Sequence, residues 1–367
     1  MKPLTPCLQF LVVALALAPG SRCAWGHPLD TWHIRQPGSG TGYLQGVCFG
    51  NGRFVTVGIN GTVETSDTGE QWSQQTSGTT VLLESIAYGN SRYVAVGDLG
   101  TIISSPDGTN WTTQASGVTV HLYSVRYGGG LFVAAGNNLI LTSPDGFSWA
   151  AQNPGLTLRA ASLATGDGRF IFAGNPGTNV ISMDGTNWFE RPSGTDQGIY
   201  TIGFGAGVFL CIDTDLRTFI SADASNWVQQ APVTVFRPAA VAFGNGCFVT
   251  GGSGGMEYGT LGSAWTLAAA ACLPRDICFG DGTFVAVGFQ EAIVQSDPVI
   301  WLHLTLPGTV EIYGPTGKTY SIESKNGLAE ESWITRTNLV PWESPYVWGD
   351  PDIPLPSKRF YRASLQP

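Results

Sequence analysis

Short apolar runs, several of them alternating with polar residues, recur along most of the chain on either side of glycine-containing turns. In one well-preserved copy, residues 85–88 lead through the turn 89–91 into residues 93–97. Turns such as Asn-Gly and Asp-Gly between apolar runs are the strongest short-range signal for a β-hairpin, because they need positive φ angles. Each copy therefore predicts two antiparallel strands.

An aromatic residue opens the second strand of each copy and sets the period of the chain. It recurs at intervals of 36 to 39 residues: Phe54, Tyr93, Phe132, Phe170, Phe209, Phe248 and Phe284. Self-similarity at such a period indicates a repeat architecture, in which each unit packs against its neighbours.

A third run, 101–104 in the same copy, ends in a turn that repeats almost verbatim as Ser-Pro-Asp-Gly. The Asp carboxylate and the Ser hydroxyl are expected to accept hydrogen bonds from nearby backbone N–H groups, while Gly takes the strained position. We therefore interpret the acids of these turns as structural. They are Asp107, Asp145, Asp184 and Asp223.

A tryptophan follows each turn and marks a fourth strand, where its large ring is expected to be buried against a neighbouring sheet. The column comprises Trp32, Trp72, Trp111, Trp149, Trp188, Trp227, Trp265 and Trp301. The turn is imperfect in some copies. It is shifted before Trp72, where Asp67 and Gly69 stand, and Leu261 replaces the acid before Trp265.

Four strands per repeat and seven repeats predict an all-β fold, a seven-bladed β-propeller over residues 27–302. Trp32 has no first, second or third strand before it. We therefore expect residues 30–36 to supply the outer strand of the last blade and to close the ring. Eight blades are the alternative if Trp301 begins an outer strand of its own and Trp32 lies elsewhere.

After Trp301 the period is lost, and residues 303–367 read as a separate module. Its apolar runs are bounded by turns such as the Pro-Gly segment 314–317. They span residues 309–313, 319–324, 333–336, 346–348 and 359–363. This pattern predicts a small β-sandwich-like domain.

Residues 1–26 have the parts of a secretory signal peptide. Lys2 supplies the positive charge, residues 8–18 form an apolar run too short to span a bilayer, and residues 24–26 offer a cleavage site. Residues 18–20 are a second candidate cleavage site. A lipoprotein signal would use Cys23, but the arginine before it disfavours that reading. We expect an exported protein that is periplasmic, on the cell surface or extracellular in a bacterium.

Removal of this segment takes away Lys2 and Arg22 and no acidic residue, so the formal net charge falls from −9 to −11. Nucleic acids and anionic membrane surfaces need basic patches, so neither is an expected partner. No later apolar run is long enough to span a bilayer. We therefore expect a monomer that is not an integral membrane protein.

The supply of ligands argues against a metal site. The chain has four histidines and no Cys-x-x-Cys motif. After cleavage five cysteines remain: Cys48, Cys211, Cys247, Cys272 and Cys278. Cys48 and Cys278 occupy the same position of their repeats, so a disulfide bond is one alternative. Buried free thiols are the favoured one. No metal and no cofactor is predicted.

Positions at the start of the first strand of each repeat are expected to converge on the mouth of the central channel. One ring of such positions reads Gln45, Glu84, Tyr123, Ala161, Tyr200, Ala239 and Arg275. Two residues earlier, a second ring includes His121, Arg159 and Arg237. The candidate ligand-binding residues are Glu84, His121, Tyr123, Arg159, Tyr200, Arg237 and Arg275. A solvated rim without a specific ligand is the alternative.

The acidic turn resembles the Asp-box, or bacterial neuraminidase repeat, Ser-x-Asp-x-Gly-x-x-Trp, although it is one residue shorter here. The resemblance covers roughly residues 43–301 and implies a propeller similar to sialidase-like and photosystem II assembly-factor-like propellers. In that family the boxes lie on the face away from the active site. The structural Asp-box set is then the four acids above with Trp72, Trp111, Trp149, Trp188 and Trp227.

The C-terminal residues resemble a module at the ends of exported Verrucomicrobia and Planctomycetes proteins. The resemblance rests on Tyr320, Ile322 and Trp333 and on the Arg-Phe-Tyr-Arg segment 359–362. It implies a location outside the cytoplasm more than it implies an activity.

Catalysis has two possible sources in the sequence. A sialidase needs three arginines, for which Arg159, Arg237 and Arg275 are candidates, and a Tyr–Glu pair, for which Tyr200 and Glu84 are candidates. The Arg-Ile-Pro stretch that opens sialidases is absent. A glycosidase needs two carboxylates on facing blades. Acids are expected on the loops between second and third strands: Asp98, Asp213, Asp215, Glu257 and Glu291.

The sequence favours an exported non-catalytic propeller that binds a protein or a polysaccharide through its loop-rich face. The alternative is a carbohydrate-active hydrolase, either a glycosidase or a sialidase-like enzyme. Two carboxylates about 5–10 Å apart across the mouth would favour hydrolysis, and a mouth without such a pair would favour binding.

Overall fold

The computed structural model describes residues 27–38, 42–136, 138–152, 162–174, 176–269, 272–289, 292–306, 309–326, 332–342, 344–352 and 359–366. The predicted signal segment, 1–26, lies outside these residues. Two compact units are present: one is Leu29–Gly280 with Phe284–Ser296, and the other takes in Asp281–Thr283 and Asp297–Pro367.

The first unit consists of seven four-stranded antiparallel sheets, here called blades, with strands A to D. In blade 1, strands A to D are Leu44–Gly50, Arg53–Gly58, Val63–Ser66 and Ser73–Gln75. In blade 2 they are Leu83–Gly89, Arg92–Gly97, Ile102–Ser105 and Thr112–Gln114. In blade 3 they are Leu122–Gly128, Leu131–Gly136, Leu139–Ser143 and Ala150–Gln152. In blade 4, strands A to D are Ser162–Gly166, Arg169–Ala173, Thr178–Ser182 and Phe189–Pro192. In blade 5 they are Ile199–Gly205, Val208–Asp213, Thr218–Ser221 and Val228–Gln230. In blade 6 they are Pro238–Gly244, Cys247–Gly252, Gly255–Gly259 and Thr266–Ala268.

Blade 7 joins the two ends of the repeat region. Its strands A to C are Pro274–Gly280, Thr283–Gly288 and Ile293–Ser296, and its strand D is Trp32–Arg35. Trp32 pairs with Ser296, and Arg35 pairs with Ile293, as expected for the N-terminal segment. The A strands of consecutive blades contact one another around the ring, including those of blades 7 and 1.

Trp301 does not begin an outer strand of a blade. It begins the strand Trp301–Leu306, which pairs with Thr309–Tyr313 in a separate three-stranded sheet. Among the described residues, the outer strand on which the eight-bladed alternative depends is therefore not formed by Trp301. The expectation of an all-β fold built from repeated four-stranded sheets is confirmed.

Strands B carry nearly continuous apolar runs, and strands C are almost entirely buried, because both faces of each sheet pack against neighbouring sheets. Between blades 1 and 2, Val55, Val57 and Val63 of blade 1 meet Leu83 and Ile86 of blade 2. Burial of each side chain of this size contributes roughly 1.5–3 kcal/mol. The core of the propeller is therefore distributed over the interfaces between blades.

A ring of glycines ends the A strands and allows the blades to approach closely. A Cβ atom on Gly50 would lie 2.0 Å from the ring of Tyr88 on the next blade. The same contact recurs around the ring, with Thr165 in place of an aromatic residue on blade 4. On Gly280 of blade 7 a Cβ atom would lie 2.1 Å from the ring of Phe49 on blade 1. Each of these positions needs a residue without a side chain.

The acidic turns between strands C and D are held by their own side chains. In blade 2, Asp107 Oδ1 accepts the N–H groups of Thr109 and Asn110, both at 2.9 Å. Ser105 Oγ accepts the N–H of Gly108 at 2.8 Å. Backbone donors of this kind, with that of Asn110 first, hold the pKa of Asp107 well below its usual range. Asp145, Asp184 and Asp223 accept the equivalent bonds.

The tryptophans that follow the turns are at least partly buried wherever their side chains are described. Trp72 and Trp188 are each 7% exposed, and their indole N–H groups donate to the carbonyls of Gly69 and Gly185. The indole nitrogens of Trp149 and Trp227 are buried without a hydrogen-bond partner among the described residues.

The C-terminal residues form two three-stranded sheets. One contains Trp301–Leu306, Thr309–Tyr313 and Tyr346–Gly349, and the other contains Ile334–Leu339, Tyr320–Lys325 and Phe360–Leu365. The Arg-Phe-Tyr-Arg segment contributes a buried polar network. Arg359 Nη1 and the Tyr361 hydroxyl both donate to Asp350 Oδ2 at 2.7 Å.

Candidate binding site at the channel mouth

A cavity of about 400 Å³ opens where the A strands begin, and we call it the mouth. All six described members of the first predicted ring line it: Gln45, Glu84, Tyr123, Tyr200, Ala239 and Arg275. Arg237, from the second ring, lines it as well. Ala161 and Arg159 lie outside the described residues.

β-Bulges explain why this ring is directed into the mouth. In five blades the pairing of strand A with strand B skips the second residue of strand A. The skipped residues are Gln45, Glu84, Tyr123, Tyr200 and Ala239. A bulge leaves its extra residue outside the ladder and re-aims its side chain. The repeated bulge therefore presents one non-repeating side chain per blade.

Arg275 is held at the mouth by neutral groups. Its Nε donates to Gln45 Oε1 of blade 1 at 2.9 Å. Its guanidinium carbon lies 5.2 Å from the ring centroid of Phe289. Phe289 meets Tyr43 edge to face, with the two ring centroids 5.3 Å apart. These contacts orient the guanidinium without neutralising its charge.

Arg237 has a strained backbone. Its φ is +49°, in the left-handed region that a bulky residue rarely adopts, and such strain clusters at functional sites. Its guanidinium carbon lies 5.3 Å from the ring centroid of Phe236. The residue with the strained backbone is thus one whose side chain lines the mouth.

The mouth thus carries positive charge that no described acid pairs with directly. Neither Arg237 nor Arg275 makes an ion pair with a described residue. Elsewhere in the same unit, Arg53 lies 2.7 Å from Asp67. In a chain with a formal net charge of −9, unpaired guanidinium groups in one cavity indicate an anionic ligand group.

Glu84 is half-buried at the mouth and has no hydrogen-bond partner among the described residues. Burial raises the pKa of its carboxyl, the nearby Asp98 carboxylate raises it further, and Arg275 and His121 oppose the shift. No hydrogen bond joins Tyr200 to Glu84, although both line the mouth. The Tyr–Glu nucleophile pair expected for a sialidase is therefore not formed.

His121 does not line the mouth, contrary to expectation. Its Nδ1 is hydrogen-bonded to Asp98 Oδ1 of blade 2. Its ring lies nearly parallel to that of Tyr123, at an interplanar angle of 12° and a centroid distance of 6.2 Å. The side chain of His121 is 53% exposed, and its ring stacks against Tyr123, which lines the mouth.

Two of the acids expected on loops between strands B and C are instead part of the sheets. Glu257 lies in strand C of blade 6, is 2% exposed, and accepts the N–H of Thr234. Asp213 ends strand B of blade 5, is fully buried, and pairs with Arg217 at 2.7 Å. Glu291 lies outside the described residues. The carboxylates of Glu257 and Asp213 are thus both engaged by neighbouring groups of the propeller.

Two charged residues at the base of the mouth are missing from the sequence-based set. Arg126 and Asp276 line the mouth and also a deeper cavity of about 300 Å³ inside the channel. Asp276 Oδ2 accepts the N–H of Val47 on blade 1 at 3.0 Å, and this bond joins blade 7 to blade 1.

A repeat alignment contains the signal for both residues. Arg126 stands in a column whose other members are small: Cys48, Ala87, Ala164, Gly203, Ala242 and Cys278. Asp276 stands in a column of glycine, alanine and hydroxyl residues: Gly46, Ser85, Ser124, Ser162, Thr201 and Ala240. In each column the charged residue is the exception.

Exposed apolar side chains surround the mouth, and we call them the collar. They belong to the segments that enter strand A or follow strand B: Tyr43, Leu99, Val120, Phe236, Leu273 and Phe289, each at least 40% exposed. Clustered exposed apolar groups on one face mark interaction sites. Aromatic residues and arginine are the types enriched in protein interfaces.

No protein-family model matches the chain, and no curated protein matches it significantly. Among solved structures, the chain is similar to YCF48 bound to D1 peptide (17% identity, TM-score 0.60, 78% of this chain and 99% of that chain). It is also similar to YCF48 from Cyanidioschyzon merolae (15%, 0.59, 72% and 98%) and to the WD40 β-propeller domain of Doa1 (13%, 0.57, 72% and 95%). At these identities the likeness establishes the β-propeller fold alone.

Proposed function

We propose that the protein is an exported, non-catalytic β-propeller that binds a segment of another protein across the mouth. The observation that carries the proposal is the combination of unpaired Arg237 and Arg275 with a collar of exposed apolar side chains. The arginines favour an acidic group on the ligand, and the collar favours apolar groups on either side of it. The similarity to YCF48 bound to D1 peptide is in accord with a peptide ligand.

A peptide library displayed on phage and panned against the mature chain tests this proposal. We expect enrichment of peptides in which an acidic residue is flanked by apolar residues. Binding should fall by at least about tenfold, or 1.4 kcal/mol, in the double variant Arg237→Gln/Arg275→Gln. Enrichment of basic or purely polar peptides would contradict the proposal.

The matched control removes the same charge from the opposite face. Arg53 and Arg169 each begin a strand B and pair with Asp67 and Asp167. The double variant Arg53→Gln/Arg169→Gln should bind the selected peptides like the parent chain. Equal losses in the two double variants would mean that net charge, and not the mouth, drives binding.

Hydrolysis of a glycosidic bond is the second candidate, favoured by one observation. Glu84 has a raised pKa through burial and the neighbouring Asp98 carboxylate, which is the pattern of a general acid. Release of reducing ends from a panel of polysaccharides, lost in Glu84→Gln and kept in Asp107→Asn, would support this candidate over peptide binding.

Export is the part of the proposal that rests on residues 1–26. In the described residues no helix has the length and apolar character to cross a membrane. N-terminal sequencing of the protein isolated from its native compartment is expected to begin at His27. A cytoplasmic protein that begins at Met1 would overturn the export proposal and leave peptide binding to be judged separately.

The finer resemblances belong to the same proposal. We assign the acidic turns to the Asp-box type, which places them away from the ligand, and the C-terminal module to the type found in exported proteins. Their local bonding supports the structural role of the acids, since Asp107, Asp184 and Asp223 all bind backbone N–H groups.

A further inference from the structure

The channel below the mouth contains a cationic group that has no counter-charge in contact among the described residues. The deeper cavity is lined by residues of the A strands and is bounded at one end by aromatic rings, among them Tyr88, Tyr127 and Phe279. Among the described residues that line it, Arg126 and Asp276 are the two charged side chains. Because both also line the mouth, the two cavities share one boundary.

The guanidinium of Arg126 is anchored on one side. Its Nη1 donates to Ser85 Oγ of blade 2 at 3.2 Å and to the carbonyl of Val125 at 2.9 Å. Nε and Nη2 make no hydrogen bond with a described residue. A guanidinium offers five donors in a fixed fork and remains charged at any physiological pH. Three N–H donors are therefore left for a ligand.

The position of this guanidinium is near the centre of the channel. It influences groups on two other blades: its charge lowers the pKa of Asp276 on blade 7 and that of Cys48 on blade 1. In each case burial, which raises the pKa, is the larger effect. Because burial keeps the Cys48 thiol protonated, it supplies no negative charge to balance Arg126.

Asp276 does not act as the partner of Arg126. Its two carboxylate oxygens accept the N–H groups of Val47 and Ile277, each at 3.0 Å, and no ion pair joins it to Arg126. Burial is the main cause that raises the pKa of this carboxyl. Asp276 is thus committed to the junction between blades, and Arg126 makes no ion pair with a described residue.

We infer that Arg126 forms a subsite for the carboxylate of a long acidic side chain, glutamate in preference to aspartate, carried by the segment bound across the mouth. This inference rests on the proposed function. The guanidinium contacts Ser85, which follows Glu84 in strand A. The ligand carboxylate therefore has to lie about 3.3 Å, or one residue along the strand, below the first ring of mouth residues. At about 300 Å³ the cavity is at the small end of ligand sites, which suits a side chain and excludes a folded loop.

The binding of small probes to the full mature chain tests the subsite. The probes are N-acetyl-glutamate methylamide, its aspartate and glutamine counterparts, and inorganic phosphate. The readout is the ¹H–¹⁵N resonance of the Arg126 side chain, assigned by its loss in Arg126→Gln. We expect saturable shifts with the glutamate probe, weaker binding of the aspartate probe, and no saturable shift with the glutamine probe or phosphate.

Variants of the chain test whether Arg126 itself binds the glutamate probe. Global binding of the glutamate probe, measured by calorimetry, should weaken by about tenfold or more in Arg126→Gln, whereas Arg169→Gln on the opposite face should bind like the parent. If Arg126→Gln fails to fold, Arg126→Lys keeps the charge without the fork and should bind more weakly than the parent. Full binding by Arg126→Lys would overturn the role assigned to the guanidinium fork of Arg126.

Three outcomes would overturn the inference: no saturable shift with the glutamate probe, equal shifts with the glutamine probe, or a response to phosphate alone. The result is distinguishable from a failure of the proposed function. Peptide panning without enrichment would remove the protein ligand, while saturable glutamate binding at Arg126 would still identify a carboxylate site for a free acid.

Discussion

On the face formed by the A–B and C–D turns, the same residues recur from blade to blade, whereas at the mouth each blade presents a different side chain. In the acidic turns the polar groups are satisfied locally, as Asp107 is by Thr109 and Asn110. At the mouth Arg237, Arg275 and Glu84 lack a charged partner in contact. Repetition accompanies polar groups that serve the fold, and variation accompanies polar groups left available for a ligand.

Exposed apolar residues are present on both faces. Around the mouth the collar contains Phe236, which is 58% exposed, and Leu99, which is 63% exposed. On the opposite face Met183 is 61% exposed, and Phe147, which is 45% exposed, lies against the guanidinium of Arg92, 3.7 Å from its ring centroid. The predictions below test whether one face determines stability and the other determines binding.

The largest effect is expected for Trp188→Ala, which removes a ring that is 7% exposed and packs against Phe170 and Phe172. The free energy of unfolding should fall by about 3–5 kcal/mol, as for other large truncations in a core. Phe189→Ala is the matched control, because Phe189 is the next residue and is 52% exposed. Urea denaturation should show a change within about 0.5 kcal/mol for the control.

A smaller effect is expected where the glycine ring is broken. In Gly89→Ala the new Cβ would lie 1.9 Å from the ring of Tyr127, and overpacking of this kind costs about 1–3 kcal/mol. Because the clash is with one ring, the same substitution should cost far less in a Tyr127→Ala background. Equal costs in both backgrounds would show that the ring is not what the glycine accommodates.

Asp107→Asn should lower the free energy of unfolding by about 1 kcal/mol, since the amide oxygen is a weaker acceptor for the N–H groups of Thr109 and Asn110. Glu84→Gln is the comparison at the mouth. It should leave stability unchanged or slightly raised, because a half-buried carboxylate without a partner is removed. A larger loss for Glu84→Gln than for Asp107→Asn would reverse the proposed division.

The pH dependence of stability should come from the turn acids. The pKa values of Asp107, Asp145, Asp184 and Asp223 are all lowered, chiefly by backbone N–H donors. A lowered pKa in the folded state contributes stability that is present above the unfolded value of about 3.9 and is lost as the pH falls through the folded value. Stability measured below about pH 4 should therefore fall less steeply in Asp107→Asn/Asp184→Asn than in the parent.

The smallest effect on stability is expected at the mouth arginines. Arg237→Gln and Arg275→Gln should each change the free energy of unfolding by less than about 0.5 kcal/mol, since neither makes an ion pair. For Arg237 a further gain is expected from Arg237→Gly, because glycine relieves the strain of φ +49°. A stability loss above 2 kcal/mol in any of these variants would place the arginines in the fold instead of the site.

Much of the fold was predictable because the same pattern of residues recurs in seven repeats. The aromatic column, the glycine turns and the tryptophans gave the four strands of each blade, and Trp32 indicated the strand that pairs with Ile293–Ser296. The ring at the mouth was also predictable, because its members share one position in strand A. For residues that differ between repeats, the sequence predicts their position in the blade but not the residues that they contact.

The sequence by itself determined the blade, its strands and the position from which each blade faces the channel, because these depend on local hydrogen bonding and on alternation. The tertiary structure alone decided that Arg126 reaches Ser85 of the neighbouring blade and that Asp276 bonds to Val47 across the junction. Those contacts join residues from different repeats around a closed ring, and distance across that ring is set by packing between blades, which spacing along the chain does not encode.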